Sequence, residues 1–387
     1  MSGKNFQHVI PALRLFSGPA SLAQLGKELA RAGCQRAVVF SGASMARQDA
    51  LLDSVRGAMG ERFSGLFCGV QAHSPVTSVQ AAAEALREWN ADAVVALGGG
   101  SAIVTARAAS ILLAEGKGAH ALSTSRDGQG QLHSPKLMAA KIPQFIVPTT
   151  PTTAVAKAGS AVFDTERQER LALYDPKTRA HAVFIDPTML ASAPQSLIVS
   201  ASLNTYAMAI EGLMSAQGDP LSDALLMHAL RLLAEAFSTP DRLDEPAIRT
   251  QLVLAAILCG QGTDYTGGGI TTVLGHAIGV RCGIENGMAN AILLPHVMRF
   301  NADAAREGLA KIRQALGREG VSDEAMIESI GRDIERLGIP GQLSLAGVAD
   351  DAVNSIAASA MSDWFLQGNP RRVDDVEQLQ QIMRAAW

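Results

Sequence analysis

Short runs of β-branched and apolar residues alternate, through the first half of the chain, with longer stretches whose apolar positions recur three and four residues apart. The strand-like runs include Arg36–Phe40, Ala93–Leu97, Gln144–Val147 and Ala182–Ile185. Each is continuously apolar rather than alternating, the pattern of a strand covered on both faces. Between them, Ser21–Ala32 and Val79–Trp89 carry apolar residues at helical spacing. Strands separated by helices need crossover connections, so this half predicts an α/β domain with a doubly wound parallel sheet over residues 1–190. After Asp186-Pro187 the texture changes to Ala/Leu/Met-rich stretches such as Ser222–Phe237 and Ile248–Leu258, which predict an all-α domain over residues 191–387. Pro194, Pro220, Pro240 and Pro295 punctuate that half. Asp219-Pro220 and Thr239-Pro240 are expected to open helices, because proline is tolerated in a first turn.

Composition agrees with two domains and narrows the class of partner. The 387 residues are 48% hydrophobic and 18% charged, enough to bury two cores and too apolar for a disordered chain. Two domains offer a cleft. The formal net charge is −4, with Lys and Arg scattered, so there is no basic stripe for nucleic acid and no polybasic membrane anchor. A small-molecule partner is expected, in a homodimer. Cys34, Cys68, Cys259 and Cys282 lie far apart, without the spacing of a zinc site or a disulfide framework, and read as reduced thiols. The first eighteen residues lack a charged segment followed by an apolar one, and no run of about 18 uninterrupted apolar residues occurs, which points to the cytoplasm.

The most informative chemistry follows the Ala93–Leu97 strand. Gly98-Gly99-Gly100-Ser101 leads directly into Ala102–Leu113, a segment of helical character. A strand, a run of glycines and a helix N-terminus form an anion site, because backbone N–H groups can approach a phosphate and the helix dipole favours negative charge. After the Gln144–Val147 strand, Pro148-Thr149-Thr150-Pro151-Thr152-Thr153 places hydroxyls and amides at the same edge of a parallel sheet. The expected dinucleotide contacts are Ser41, Gly98, Gly99, Gly100, Ser101, Thr149, Thr150 and Thr153. The Arg36–Phe40 strand ends in Ser41-Gly42-Ala43-Ser44 with no acid to bind a ribose 2′-hydroxyl and with Arg47 close behind, so NADPH is tolerated as well as NADH.

Taken in order, Phe16-Ser17-Gly18-Pro19, Gly98-Gly99-Gly100-Ser101, Pro148-Thr149-Thr150, Asp186-Pro187-Thr188-Met189-Leu190, Ala209-Ile210-Glu211 and the Gly287–His296 run resemble the iron-containing (group III) alcohol dehydrogenase superfamily. The resemblance implies an N-terminal dinucleotide-binding domain, a C-terminal helical domain and nicotinamide-dependent oxidoreduction. It also implies four metal ligands, and this chain departs at all four. Asn204 and Met208 stand where the family has an Asp and a His, and Thr272 and Asn286 stand where it has two further histidines. Amides, a hydroxyl and a thioether are poor ligands for a hard or borderline divalent ion, so no metal is expected there. The maleylacetate reductase branch of the superfamily works without a metal, and Asn204, Val104 and Ala72-His73-Ser74-Pro75-Val76 are similar to it. Histidines usual in that branch are replaced at Met208 and Asn286, and the superfamily's Thr-Gly-Ser-Glu run reads Thr153-Ala154-Val155-Ala156.

Without a Lewis acid, carbonyl reduction is the easier direction, given a proton donor and hydrogen bonds to the carbonyl oxygen. His276 is the expected acid, since an ordinary imidazole pKa of about 6.5 suits proton transfer at neutral pH. Asn204, Tyr206, Thr272 and Asn286 are expected to line the former metal pocket as neutral donors; Arg281 and Lys157 read first as solvated surface charges, with a substrate carboxylate as the alternative partner. Met208 and His296 read as packing residues. The expected reaction is metal-independent, NAD(P)H-dependent reduction of a small activated ketone or oxo acid. A dehydroquinate-synthase-type lyase shares the architecture but needs the missing metal. A cofactor-binding homologue that has lost catalysis is the remaining alternative.

Overall fold

A computed structural model describes residues 5–127 and 131–387; the reading of the N-terminus over residues 1–4 lies outside them. The chain divides into an α/β unit, Pro11–Ala193, and a helical unit made of Pro194–Trp387 with Met1–Ile10. The described residues before Pro11 group with the helical unit. The cause is local: the His8 ring stacks on Tyr265 at 3.9 Å, and its Nδ1 lies 3.1 Å from Asp219 Oδ2.

The α/β unit contains a six-stranded parallel sheet. Its strands are β1 (Arg14–Ser17), β2 (Ala37–Gly42), β3 (Phe63–Val70), β4 (Ala93–Gly98), β5 (Gln144–Pro148) and, beyond a separate β6–β7 hairpin (Gly159–Asp164 and Glu169–Tyr174), β8 (Ala180–Ile185). The order across the sheet is β1-β8-β5-β4-β2-β3. All four strands expected from the sequence are present and interior, with β4 and β5 buried along their whole length. The two added strands are the edges. β3 contains Gly65, where a Cβ would sit 2.6 Å from the Trp89 ring, so its glycine makes room for packing.

One face of the sheet buries Val39, Val95, Leu97, Phe145 and Phe184 against helices α1 (Leu25–Arg31) and α2 (Asp49–Met59). The alternate residues Val38, Val94, Ile146 and Val183 are equally buried, beneath α3 (Val76–Glu88) and α4 (Gly100–Glu115). The chain direction reverses between β2 and β4: β2 leads outward to β3, while β4 leads the other way to β5. In open parallel sheets the crevice for a ligand lies at the carboxyl ends of the strands flanking such a reversal. Here those ends carry Ser41-Gly42 and Gly98-Gly99.

The helical unit is built around α5 (Gln195–Met214), α6 (Pro220–Phe237), α7 (Pro246–Thr266), α8 (Ile270–Cys282) and α9 (Asn286–Asn301). Pro220 opens α6 as expected, with the Asp219 carboxylate accepting N–H from Leu221 and Ser222. Pro240, by contrast, opens only a three-residue 3-10 turn, and the next helix starts at Pro246. Helix α5 is apolar and 20 residues long, but 78% of its most apolar window is buried within the protein, as in a core helix. Close helix approach is set by glycine: a Cβ on Gly287 of α9 would lie 1.7 Å from the Ser200 carbonyl oxygen of α5.

Candidate functional site

In the α/β unit the glycine run lies between β4 and α4, the strand–glycine–helix arrangement that the sequence implies. Gly98 has φ +146, a conformation L side chains rarely adopt, and it turns the chain from β4 towards α4. Gly99 is the N-cap of α4 with extended backbone (φ −88, ψ −161), and no side chain caps the helix. Gly99 has no side chain with which to cap the first-turn N–H groups of this sixteen-residue helix, the condition under which a helix start binds an anion.

The threonine loop is brought alongside. Gly98 pairs with Pro148 in the β4–β5 ladder, and Thr149 N–H donates to the Gly98 carbonyl at 3.1 Å. A Cβ on Gly99 would meet Thr150 Oγ1 at 2.9 Å, and one on Gly100 would meet Thr152 Oγ1 at 3.1 Å, so glycine here is what lets the two loops touch. Thr149, Thr150 and Thr153 are buried, as is Ser41 at the end of β2, whose hydroxyl has no partner among the described residues. These features fit a dinucleotide pyrophosphate: bare helix N–H groups, glycines that admit close backbone approach, and an unsatisfied buried hydroxyl at the neighbouring strand end.

A third segment meets the same helix. The loop after β3 carries His73 (φ +60) and Ser74 (φ +49), two consecutive left-handed residues that are not glycine. Such residues cost about 1–3 kcal/mol each and persist only where their surroundings hold them. Here Thr105 donates to Ser74 Oγ at 3.0 Å, and Ser74 Oγ donates to the Ser101 carbonyl at 3.3 Å.

In the helical unit, the four family metal positions do not form a ligand set. Asn204 and Met208, one turn apart on α5, contact each other at 3.6 Å. Thr272 is turned away: its hydroxyl donates to Glu211 Oε2 at 2.5 Å. Glu211, named in the sequence only as part of a motif, is a fully buried carboxylate that also accepts N–H from Gly269, Thr271 and Thr272 at 2.6–3.2 Å, clamping the start of α8 to α5. Burial pushes its pKa up against the pull of these hydrogen bonds.

Asn290, which the sequence reading passed over, organises the rest. It is buried between α8 and α9, where a Cβ on Gly275 would lie 1.7 Å from its side-chain oxygen position. The Thr271 carbonyl at 2.9 Å and the Asn286 carbonyl at 3.3 Å both accept, so the Asn290 amide nitrogen faces them and its oxygen faces Asn204 at 2.9 Å. Asn204 must then donate its own N–H to Asn290, which leaves its carbonyl oxygen beside Met208. Asn286 keeps a buried Oδ1 without a partner among the described residues. One Asn204 N–H and the Thr272 hydroxyl proton are thereby held by protein partners, which narrows the expected set of donors.

Tyr206 also requires correction. Two residues along a helix is about 200° of rotation, so it points away from Asn204. Its ring is buried 5.5 Å from that of Phe237, and burial pushes its phenol pKa well up. His276 is partly exposed on α8, with Nδ1 3.9 Å from Asp363 Oδ2 and its ring 6.3 Å from that of Phe365. Asp363 carries no sequence signal that would have marked it. Arg281 is exposed at the end of α8, and Lys157 is half-buried at the exit of the threonine loop. His296 lines a separate cavity of about 300 Å³ with Ile292, Pro295 and Arg299, and burial lowers its pKa.

The sequence matches two family models end to end: iron-containing alcohol dehydrogenase over residues 12–187, and the C-terminal domain of the Fe-containing alcohol dehydrogenase family over residues 198–387. It is 27% identical to a lactaldehyde reductase of Escherichia coli, covering 96% of this chain and 97% of that one. It is 26% identical to maleylacetate reductase 1 of Cupriavidus pinatubonensis, covering 95% and 93% respectively. The fold is shared with the sulfoacetaldehyde reductase of Bifidobacterium kashiwanohense solved in complex with NAD+, at a TM-score of 0.86 and 19% identity over 99% of both chains. By its sequence matches and its architecture, the chain belongs to the iron-containing alcohol dehydrogenase family of oxidoreductases.

Proposed function

We propose that this protein is a metal-independent, NAD(P)H-dependent reductase of a small activated ketone or oxo acid, similar in chemistry to the maleylacetate reductases. The observation that carries the metal-independent part is the chemistry of the family ligand positions, three of which are held by protein partners. Asn204 bonds Asn290, Met208 packs on Asn204, and Thr272 donates to Glu211. No anionic or imidazole ligand is left among those four positions.

On this reading the first turn of α4, with Gly98, Gly99, Gly100 and Ser101, binds the pyrophosphate, and Ser41, Thr149, Thr150 and Thr153 border the same strand ends. When bound, the reduced nicotinamide supplies the hydride. His276 supplies the proton to the carbonyl oxygen, and the Asp363 carboxylate lies 3.9 Å from its Nδ1. An activated carbonyl is favoured because no Lewis acid is expected at the family ligand positions and the Thr272 hydroxyl proton is held by Glu211. The absence of an acid near Ser41 supports use of NADPH alongside NADH. The relatives named above are dedicated to different carbonyl compounds, so substrate preference rests on the site. A homodimer in the cytoplasm completes the reading, in keeping with four free cysteines.

Reduction of a panel of 2-oxo and 4-oxo carboxylic acids and simple aldehydes by NADH and NADPH tests the proposal. Oxidation of cofactor with an oxo acid in chelator-treated protein is expected. Cofactor binding without turnover of any carbonyl would favour a homologue that has lost catalysis.

A further inference from the structure

The α/β unit holds a second cluster of metal-ligating side chains, far in sequence from the glycine loop and from the family ligand positions. His120 projects from the short helix Ala119–Leu122, and Asp164 and Glu169 end β6 and begin β7. Asp164 and Glu169 are direct partners in the antiparallel hairpin ladder, so the two carboxylates share one face. Like charges directly opposite destabilise a hairpin unless a cation lies between them. His120 is on that face, with Nε2 2.7 Å from Asp164 Oδ2 and Nδ1 3.7 Å from Glu169 Oε1.

The two ring nitrogens have different roles in this arrangement. Asp164 is fixed first: its Oδ1 accepts the N–H of Glu166 at 2.8 Å and of Arg167 at 3.0 Å, which aims Oδ2 at the imidazole. The 2.7 Å contact places a carboxylate acceptor at Nε2, so the ring proton sits there and the Nδ1 lone pair is directed towards Glu169. A carboxylate behind a histidine in this way is the usual orienting partner of a metal-bound imidazole. Zinc bonds of about 2.0–2.2 Å set two ligands about 3.3–3.6 Å apart at angles of about 109–120°. The observed 3.7 Å is within a few tenths of an ångström of this, and Glu169, half exposed, has room to close the difference.

We propose that His120 Nδ1 and Glu169 bind a borderline divalent cation such as zinc, with Asp164 as the positioning residue behind the ring and water completing the coordination. The ion would join the Ala119–Leu122 helix to the β6–β7 hairpin. Metal found in the purified protein would then not by itself place an ion at the family position. Arg167, whose guanidinium lies 3.8 Å from Glu169 Oε1, is the competing cation.

Calorimetric titration of the full-length protein with zinc chloride near neutral pH tests this, with thermal melting followed in parallel. The wild type should bind one zinc per chain and melt at higher temperature when loaded. His120→Ala and Glu169→Gln should weaken binding at least tenfold and abolish the shift in melting. Asp164→Asn keeps the acceptor for the two backbone N–H groups and should weaken zinc by about 10–100-fold. Arg167→Gln should bind at least as tightly as wild type. The proposal is overturned if the wild type takes up no zinc, if His120→Ala binds it equally well, or if Arg167→Gln binds it less tightly. The first outcome would mean that a proton on His120 alone separates the two carboxylates.

Discussion

Replacing Gly99 with valine separates the two jobs done by the glycine loop. Gly99 has φ −88 and ψ −161, a conformation open to any residue, so the substitution adds no backbone strain. Its Cβ would lie 2.9 Å from Thr150 Oγ1 and 3.9 Å from Thr150 Cγ2. The short contact is to the end of a side chain, which can rotate or yield by a few tenths of an ångström, so the fold should survive. The ligand is less tolerant. A phosphate held on the α4 amides depends on hydrogen bonds to a charged group, each contributing about 1.5–3 kcal/mol, and the valine methyl groups obstruct its approach to the backbone. Loss of one such bond corresponds to a roughly 10–150-fold weaker dissociation constant, since 1.4 kcal/mol is a factor of ten. Quenching or blue shift of NADH fluorescence on titration measures this directly, with a circular dichroism melt as the control for folding. Gly98→Ala is the contrasting variant: at φ +146 it strains the backbone and should lower stability as well as binding. Unchanged NADH affinity in folded Gly99→Val protein would refute the placement of the pyrophosphate.

Three further outcomes follow from the helical unit. His276→Asn should lower kcat for carbonyl reduction by about 10²–10⁴-fold while leaving the NADH dissociation constant nearly unchanged, measured by steady-state kinetics beside fluorescence titration. Glu211→Ala leaves three N–H groups and the Thr272 hydroxyl without their acceptor and should destabilise the protein by about 2–5 kcal/mol in urea unfolding. Asp219 is pushed up by burial, but hydrogen bonds from Ser222, His8 and Leu221 outweigh this and hold its folded pKa below the ordinary value. Its stabilisation is therefore present above the unfolded pKa of about 3.9 and lost as pH falls through the lower folded pKa. Asp219→Asn should cost about 1 kcal/mol at pH 7, with the gap to wild type closing in acid unfolding curves below about pH 4.

What the sequence made legible was whatever depends on local patterning. Continuous apolar runs such as Ala93–Leu97 identified the interior strands, because a strand covered on both faces leaves no polar alternation. The edge strand Phe63–Val70 escaped because Gly65 and Gly69 interrupt its apolar pattern, and Gly65 is explained only by the distant Trp89 ring. The glycine and threonine loops were legible since each follows its own strand, while their contact needed the register of Gly98 with Pro148. Side-chain orientation in the helical unit was not legible. The bonds from the Thr272 hydroxyl to Glu211 and from one Asn204 N–H to Asn290 were not foreseeable, because both partners lie on neighbouring helices. Tyr206 was misplaced by proximity in sequence, although its helical phase alone argues against sharing a face with Asn204.

The claim that this family member reduces carbonyl compounds without a metal is tested most directly in His120→Ala protein, where the surface cation site is removed and any remaining metal must lie elsewhere. After exhaustive dialysis against a chelator and elemental analysis to confirm that iron and zinc are absent, NADH and NADPH oxidation is followed with the oxo-acid panel. The account predicts turnover at the rate of undialysed protein, unaffected by added ferrous or zinc ions. Turnover that disappears with the metal and returns with one equivalent of iron or zinc would contradict it.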